Sequence, residues 1–229
     1  MSSLKFTIIQ TALCWEDKGA NLEALSKKIM AIGEPTEIIV LPEMFTTGFS
    51  MQPALFAETM EGPTVQWMHR LAETKKSIIT GSVIIEENGH YYNRLIWMLP
   101  NGQIGHYDKR HCFAFANEDK HYKAGNKKTI AQVNGWKINL QICYDLRFPV
   151  FARNVENYDL LIYVANWPKP RVNAWDILLK ARAVENMSYA IGVNRIGTDN
   201  NNLEYVGHSQ AVDFLGNYLV EPQQSEGVF

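Results

Sequence analysis

The sequence predicts an α/β fold in which sheets are layered and covered by helices, and three observations carry that expectation. Two unbroken apolar runs, Ile38-Ile39-Val40-Leu41 and Leu160-Leu161-Ile162-Tyr163-Val164-Ala165, have the composition of strands buried on both faces. Stretches with apolar residues at helical spacing accompany such runs in both halves of the chain. Asn88-Gly89 and Asn134-Gly135, each flanked by β-forming residues, mark hairpins. So many hairpins disfavour a flavodoxin-like order.

Taken in order, residues 5–10 are rich in β-branched side chains and read as a strand. Residues 21–32 place Leu22, Leu25, Ile29 and Ile32 at helical spacing, with Asn21 as the expected N-cap. The run at 38–41 ends abruptly at Pro42-Glu43. After a loop rich in Thr, Gly and Phe, Pro63 opens a second helix carrying Val65, Met68, Leu71 and Ala72. Residues 77–85 and 91–99 form the first hairpin, and Asn101-Gly102 marks a further turn. Residues 107–126 are dense in charge, histidine and aromatics without a clean period, and read as a long functional loop. Residues 129–133 and 136–142 form the second hairpin, after which Pro149-Val150-Phe151-Ala152-Arg153 looks like a helix opening. A helix over 173–186 aligns Ala174, Ile177, Leu178, Ala181 and Val184, and residues 189–194, 209–214 and 218–220 are late strands.

The chain has 229 residues, 46% of them hydrophobic, and a formal net charge of −2. That length suffices for a large core, and no Pro/Ser/Gly-rich linker divides it, so one domain over 1–229 is expected. Near-neutral charge argues against nucleic acid as the main partner. No apolar run approaches the roughly 18 residues of a membrane span, and Met1-Ser2-Ser3-Leu4-Lys5 lacks a signal-peptide pattern. The expectation is a cytoplasmic protein with no membrane partner. Cys14, Cys112 and Cys143 have neither CxxC nor Cys/His ligand spacing, which points away from a disulfide framework and from a zinc site.

Gln141-Ile142-Cys143-Tyr144-Asp145 is the expected seat of a reactive atom. Ile138, Leu140 and Ile142 alternate with polar residues, so Cys143 falls at the carboxyl end of a strand, where open α/β sheets gather ligands. A following helix dipole would favour the thiolate. Glu43 ends another strand, and Lys109 lies in the charged loop. Singly, each has a plain explanation: the cysteine as a small buried hydrophobe, the glutamate and lysine as solvated charges.

Their surroundings change that balance. Leu41-Pro42-Glu43-Met44-Phe45, Tyr107-Asp108-Lys109-Arg110-His111 and Gln141-Ile142-Cys143-Tyr144-Asp145-Leu146-Arg147-Phe148-Pro149 resemble, in order and spacing, the nitrilase (carbon–nitrogen hydrolase) superfamily. The resemblance runs from Phe6 to about Phe214 and takes in Asn166-Trp167-Pro168, Ala181-Arg182-Ala183-Val184-Glu185-Asn186 and Gly207-His208-Ser209. Within the superfamily the chain is most similar to the omega-amidases. The resemblance implies a four-layer α-β-β-α sandwich, a Glu43–Lys109–Cys143 triad, no cofactor, no metal, and a homodimer paired through helices. It implies that Cys143 attacks an amide carbon to form a thioester while Glu43 moves the protons. Lys109 and the backbone amide of Tyr144 would face the oxyanion, and Glu118, matching a second glutamate of the family, would orient Lys109 and the substrate amide. Superfamily members usually continue past the position of Phe229, so part of their C-terminal tail is expected to be missing.

The implied substrate is a small omega-amide of a 2-oxo acid, such as 2-oxoglutaramate, cleaved to the dicarboxylate and ammonia. Its carboxylate calls for a cation, and Arg147, Arg171 and Lys123 are the candidates. Arg147 would serve equally as a structural ion-pair partner. Phe45, Phe113, Tyr144 and Trp167 are candidate pocket walls, although aromatics at strand ends are as often core. Arg182 and Glu185 have the spacing of a structural pair on a helix. His208-Ser209 without Gly-x-Ser-x-Gly is a weak serine-hydrolase signal. Cys14 and Cys112 are expected bystanders, Cys112 being close enough to Lys109 to be a candidate for oxidation. Competing readings are nitrilase or N-carbamoyl amidase specificity on the same triad, a non-catalytic binding protein keeping the fold, and a redox thiol protein.

Overall fold

The computed structural model describes residues 3–229. In chain order its elements are β1 (Phe6–Gln10), α1 (Lys18–Met30), β2 (Ile38–Val40), α2 (Pro53–Phe56), α3 (Pro63–Lys75), β3 (Ile78–Glu87), β4 (His90–Met98) and β5 (Ile104–Asp108). There follow α4 (Glu118–His121), β6 (Ile130–Val133), β7 (Trp136–Ile142), α5 (Pro149–Ala152), β8 (Leu160–Ala165) and α6 (Val172–Asn186). The chain closes with β9 (Tyr189–Asn194), β10 (Ile196–Thr198), β11 (Glu204–Val206), β12 (Ser209–Val212), β13 (Tyr218–Gln223) and β14 (Gly227–Val228).

Two six-stranded sheets result, ordered β14-β1-β2-β3-β4-β5 and β13-β12-β9-β8-β7-β6, while β10 and β11 pair as a separate ribbon. β1, β2 and β3 run parallel, as do β7, β8 and β9, so each sheet gathers several strand ends along one rim. Ile8, Ile38, Val40 and Ile78 of the first sheet share an apolar cluster with Ile138, Leu140 and Ile142 of the second, which packs the sheets face to face. Leu25 and Ile29 of α1 and Val65, Met68 and Ala72 of α3 cover Ile9, Ile39 and Ile79 on the outside of the first sheet. α6 covers the second sheet with Trp175, Leu179 and Ala183. The four layers are therefore helix, sheet, sheet, helix, and both predicted hairpins are present as β3–β4 and β6–β7.

Several local expectations are corrected. α1 is capped by Asp17, whose carboxylate accepts from Ala20 N at 2.9 Å. Asn21 lies inside the helix, buried, with its side chain bonded to Cys14 N, Cys14 O and Thr46 O. The expected loop at 107–126 begins late, because Tyr107 and Asp108 complete β5, which pairs with β4. The expected helix after Cys143 is a 3-10 turn, Cys143–Arg147, followed by the single turn of α5. On α6 the buried stripe is Trp175, Leu179, Arg182, Ala183 and Asn186, while Ile177 and Val184 face solvent. The polar members hid that stripe: Arg182 is buried because it bonds Leu146 O at 2.7 Å and pairs with Glu185 at 2.8 Å.

Candidate active site

Glu43 stands just past the end of β2. Leu41 N still bonds Thr80 O, and Met44 adopts the left-handed conformation (φ 42°) that turns the chain there. Gly81 makes room for this bend, since a Cβ on it would lie 2.8 Å from Leu41 Cβ and 2.9 Å from Phe45 Cδ1. Lys109 directly follows β5, its N–H bonded to Asn93 O and its carbonyl accepting from Gly125 N at 2.9 Å. Gly125 has to be glycine: a Cβ would fall 2.2 Å from Asp108 O.

Cys143 opens the 3-10 turn at φ 43°, a left-handed conformation that costs a residue with a side chain about 1–3 kcal/mol. Asp145 holds the turn closed. Its Oδ2 accepts from Ile142 N (3.0 Å) and Tyr107 OH (2.7 Å), and its Oδ1 from His111 N (3.0 Å) and against His111 Nδ1 (2.7 Å). One buried carboxylate thus fastens the cysteine turn to the segment that carries Lys109.

The side chains converge. Lys109 Nζ lies 2.8 Å from Glu43 Oε1 and 2.9 Å from each oxygen of Glu118. Asn93 Nδ2 donates to Glu43 Oε1 (2.8 Å) and Glu118 Oε1 (3.2 Å), and Phe113 N donates to Glu118 Oε2 (2.5 Å). Asn166 N donates to Glu43 Oε2 at 2.8 Å, while Asn166 O lies 4.0 Å from Cys143 Sγ. A single residue's backbone therefore touches both the carboxylate and the thiol. Phe49 stacks its ring 5.0 Å from Lys109 Nζ.

Burial dominates the electrostatics: Glu43 and Glu118 are 0% exposed, Lys109 1% and Cys143 9%. For Lys109, burial works against the ammonium, but Glu118 and then Glu43 outweigh it and hold the group well above its ordinary value. For Cys143, burial and then the Glu43 charge push the thiol well above its ordinary value, against the pull of Lys109. The expected dipole-stabilised thiolate is therefore not the resting form. Burial likewise raises Glu118, opposed by Lys109. Cys112 is pushed up to about 12, by burial and then Glu118, which disfavours the thiolate that oxidation at this candidate position would use.

Above the cluster lies a narrow cavity with about 60 Å³ open to the centre of a water molecule. Lys109, Cys143, Tyr144, Arg147, Trp167 and Arg171 reach it, together with Phe113. Arg147 rests over the Trp167 ring at 5.1 Å and Arg171 over Phe113 at 5.0 Å, and neither forms an ion pair among the described residues. Trp167 is fixed by Asn194, which accepts from its N–H and donates to its carbonyl. Two candidates fall elsewhere. Phe45 is fully buried against Trp67 beneath α3, because its backbone pairs with Ser82 and aims the ring into the helix–sheet layer. Lys123 lines a separate open groove with His90 and Lys120, its N–H bonded to Tyr91 O. Ser209 and His208 form no dyad: Ser209 Oγ bonds Asn194, and His208 Nδ1 meets Asp176 Oδ2 at 2.9 Å.

Asn93, Asn166, Phe49, Leu203 and Tyr205 were missed from the sequence. Only Asn166, at the end of an apolar run, carried a positional signal. Among the described residues no group of three or more His, Cys, Asp or Glu could hold a metal. A protonated thiol beside a carboxylate, with an ammonium held ready for developing negative charge, is equipment for covalent acyl transfer.

Comparison with known proteins identifies the family. The family model described as carbon-nitrogen hydrolase matches residues 5–229. The omega-amidase YafV of Escherichia coli (strain K12) is 43% identical over 219 residues, covering 96% of this chain and 85% of the relative. A 2-oxoglutaramate amidase of Bacillus subtilis is 31% identical, covering 98% and 89%. A CN-hydrolase superfamily protein from Xanthomonas campestris, solved with an arsenic adduct in its active site, superposes with a TM-score of 0.97 at 42% identity, covering 100% and 89%. The chain belongs to the carbon–nitrogen hydrolase family, and Glu43, Lys109, Glu118 and Cys143 stand together at the rim of its sandwich.

Proposed function

We propose that the protein is a cysteine amidase that hydrolyses the terminal amide of a small omega-amido 2-oxo acid, 2-oxoglutaramate being the representative substrate. The observation that carries this reading is Lys109 clamped between Glu43 and Glu118 beside the Cys143 thiol. As Cys143 Sγ attacks the amide carbon, Glu43 takes the thiol proton, which solves the problem of a thiol that burial keeps protonated. The oxyanion faces Lys109 Nζ and the Tyr144 N–H, which sits in the first turn of a 3-10 helix without an intrahelical acceptor. One such donor is worth about 2.7–4 kcal/mol of barrier. Glu43 returns the proton to the departing ammonia, leaving a thioester. It then deprotonates water for the second attack and reprotonates the sulfur on release of the acid. Arg147 and Arg171, stacked on aromatic rings and unpaired among the described residues, hold the substrate carboxylate.

The omega-amidase of Escherichia coli and the 2-oxoglutaramate amidase of Bacillus subtilis, both cited above for similarity, support the substrate class. Ammonia release from 2-oxoglutaramate, 2-oxosuccinamate, N-carbamoyl amino acids and simple nitriles tests it. Turnover of the 2-oxo amides alone is expected; turnover of nitriles or N-carbamoyl compounds alone would overturn the assignment. A cytoplasmic homodimer belongs to the same reading. The solvent-facing Ile177, Val184 and Met187 at α6 support helix-mediated pairing. Sedimentation giving a monomer at micromolar concentration would contradict it.

A further inference from the structure

Leu203 and Tyr205 reach the cavity from the β10–β11 ribbon, which carries none of the acid–base cluster. The ribbon is built to keep its shape. Asp199 Oδ1 accepts from the N–H groups of Asn201 (2.8 Å) and Leu203 (3.0 Å), and Oδ2 accepts from Tyr205 OH (3.0 Å). The Arg195 guanidinium, fully buried, stands 4.7 Å from the Tyr205 ring and donates to Leu13 O (2.9 Å) and Ile196 O (3.1 Å). Lys169 pairs with Glu204 at 2.8 Å and so ties the ribbon to the Lys169–Arg171 turn, whose Arg171 also reaches the cavity.

Exposure grades along the cavity wall. Lys109, Cys143 and Tyr205 are buried, whereas Leu203 is 39% exposed and Arg147 is exposed. The sulfur lies at the base, and Leu203 stands at the rim with the arginine. The space beside the sulfur is narrow and opens to solvent at its mouth. An acyl chain bonded at Cys143 and leading toward solvent passes between the lining residues, Tyr205 and Leu203 among them.

We propose that the β10–β11 ribbon gauges acyl-chain length, Leu203 setting the limit at the rim and Tyr205 the wall beneath it. The proposal rests on the amidase reading above. It is tested on the four-, five- and six-carbon members of the 2-oxo omega-amide series, with kcat/KM measured for each on wild type and Leu203→Ala. A hydrophobic wall discriminates a single methylene by about 10–200-fold. Leu203→Ala is expected to raise the six-carbon to five-carbon ratio about tenfold or more. Tyr205→Phe, which keeps the ring but gives up the bond to Asp199, is expected to lower the melting temperature and leave that ratio in place. A Leu203→Ala enzyme whose three values change by one common factor would overturn the gauge while the amidase reading stands. Wild type inert toward all three substrates would overturn both.

Discussion

Replacing Asp145 with asparagine separates shape from charge at the point where the cysteine turn is fastened to the lysine segment. The carboxylate is fully buried and serves four donors: Tyr107 OH, Ile142 N, His111 N and His111 Nδ1. An amide cannot serve all four. Whichever way it is turned, its NH2 confronts a backbone donor, Ile142 N or His111 N, although the His111 ring can exchange tautomers and accept from it at Nδ1. Tyr107 gives no full escape by rotation, because its oxygen already accepts from Arg110 N at 3.1 Å. At least one bond to a charged acceptor is lost, worth about 1.5–3 kcal/mol. In a chain of this length 1 kcal/mol moves the melting temperature by about 2–4 °C, so a fall of at least about 3 °C is expected. The left-handed Cys143 also loses its restraint, and kcat should fall by about tenfold or more with KM changing less. Calorimetric melting and steady-state ammonia release read the two effects. A melting point within about 2 °C of wild type with kcat intact would refute the role given to Asp145.

Three further outcomes follow from the same geometry. Glu118→Gln takes from Lys109 its largest charge partner and leaves Glu43 as sole counterion, so kcat should drop by about a hundredfold with little change in KM; an unchanged kcat contradicts this. Because burial and Glu43 raise the Cys143 thiol, its alkylation by iodoacetamide should keep accelerating above pH 8.5, about the ordinary thiol value, and a plateau there would be inconsistent with the buried site. Cys112, pushed up to about 12, is a thiol at neutral pH, so Cys112→Ser should leave the rate of peroxide inactivation unchanged.

The parts of the fold legible in the sequence are those where one principle acts alone. Asn88-Gly89 and Asn134-Gly135 dictate their own turns, and the runs at 38–41 and 160–165 have no polar residue to place outward. Legibility fails where tertiary bonds override local pattern. Arg182 and Asn186 look like solvent residues but are buried by bonds to Leu146 O and Asn154, so α6 was rotated in the reading. Asn21 resembles a cap and instead ties a loop from within the helix. At the site, Glu43, Lys109 and Cys143 stand out only because the motifs around them resemble those of the family in order and spacing, and Glu118 only because it matches the family's second glutamate. Asn93 does not, since one asparagine within a hairpin strand says nothing about two carboxylates arriving from 43 and 118. Phe45 and Phe49 are alike in composition, yet backbone pairing sends the first into the core and leaves the second over Lys109.

The central claim is that Cys143 forms the covalent bond while Glu43 and Lys109 serve it. Rapid acid quench of wild type with 2-oxoglutaramate, followed by intact-mass and peptide analysis, should reveal an acyl group on the Cys143 peptide that is lost on further incubation, and Cys143→Ala should carry no adduct and release no ammonia. Ammonia release by Cys143→Ala at the wild-type rate, or an adduct mapped to another residue, would contradict the account.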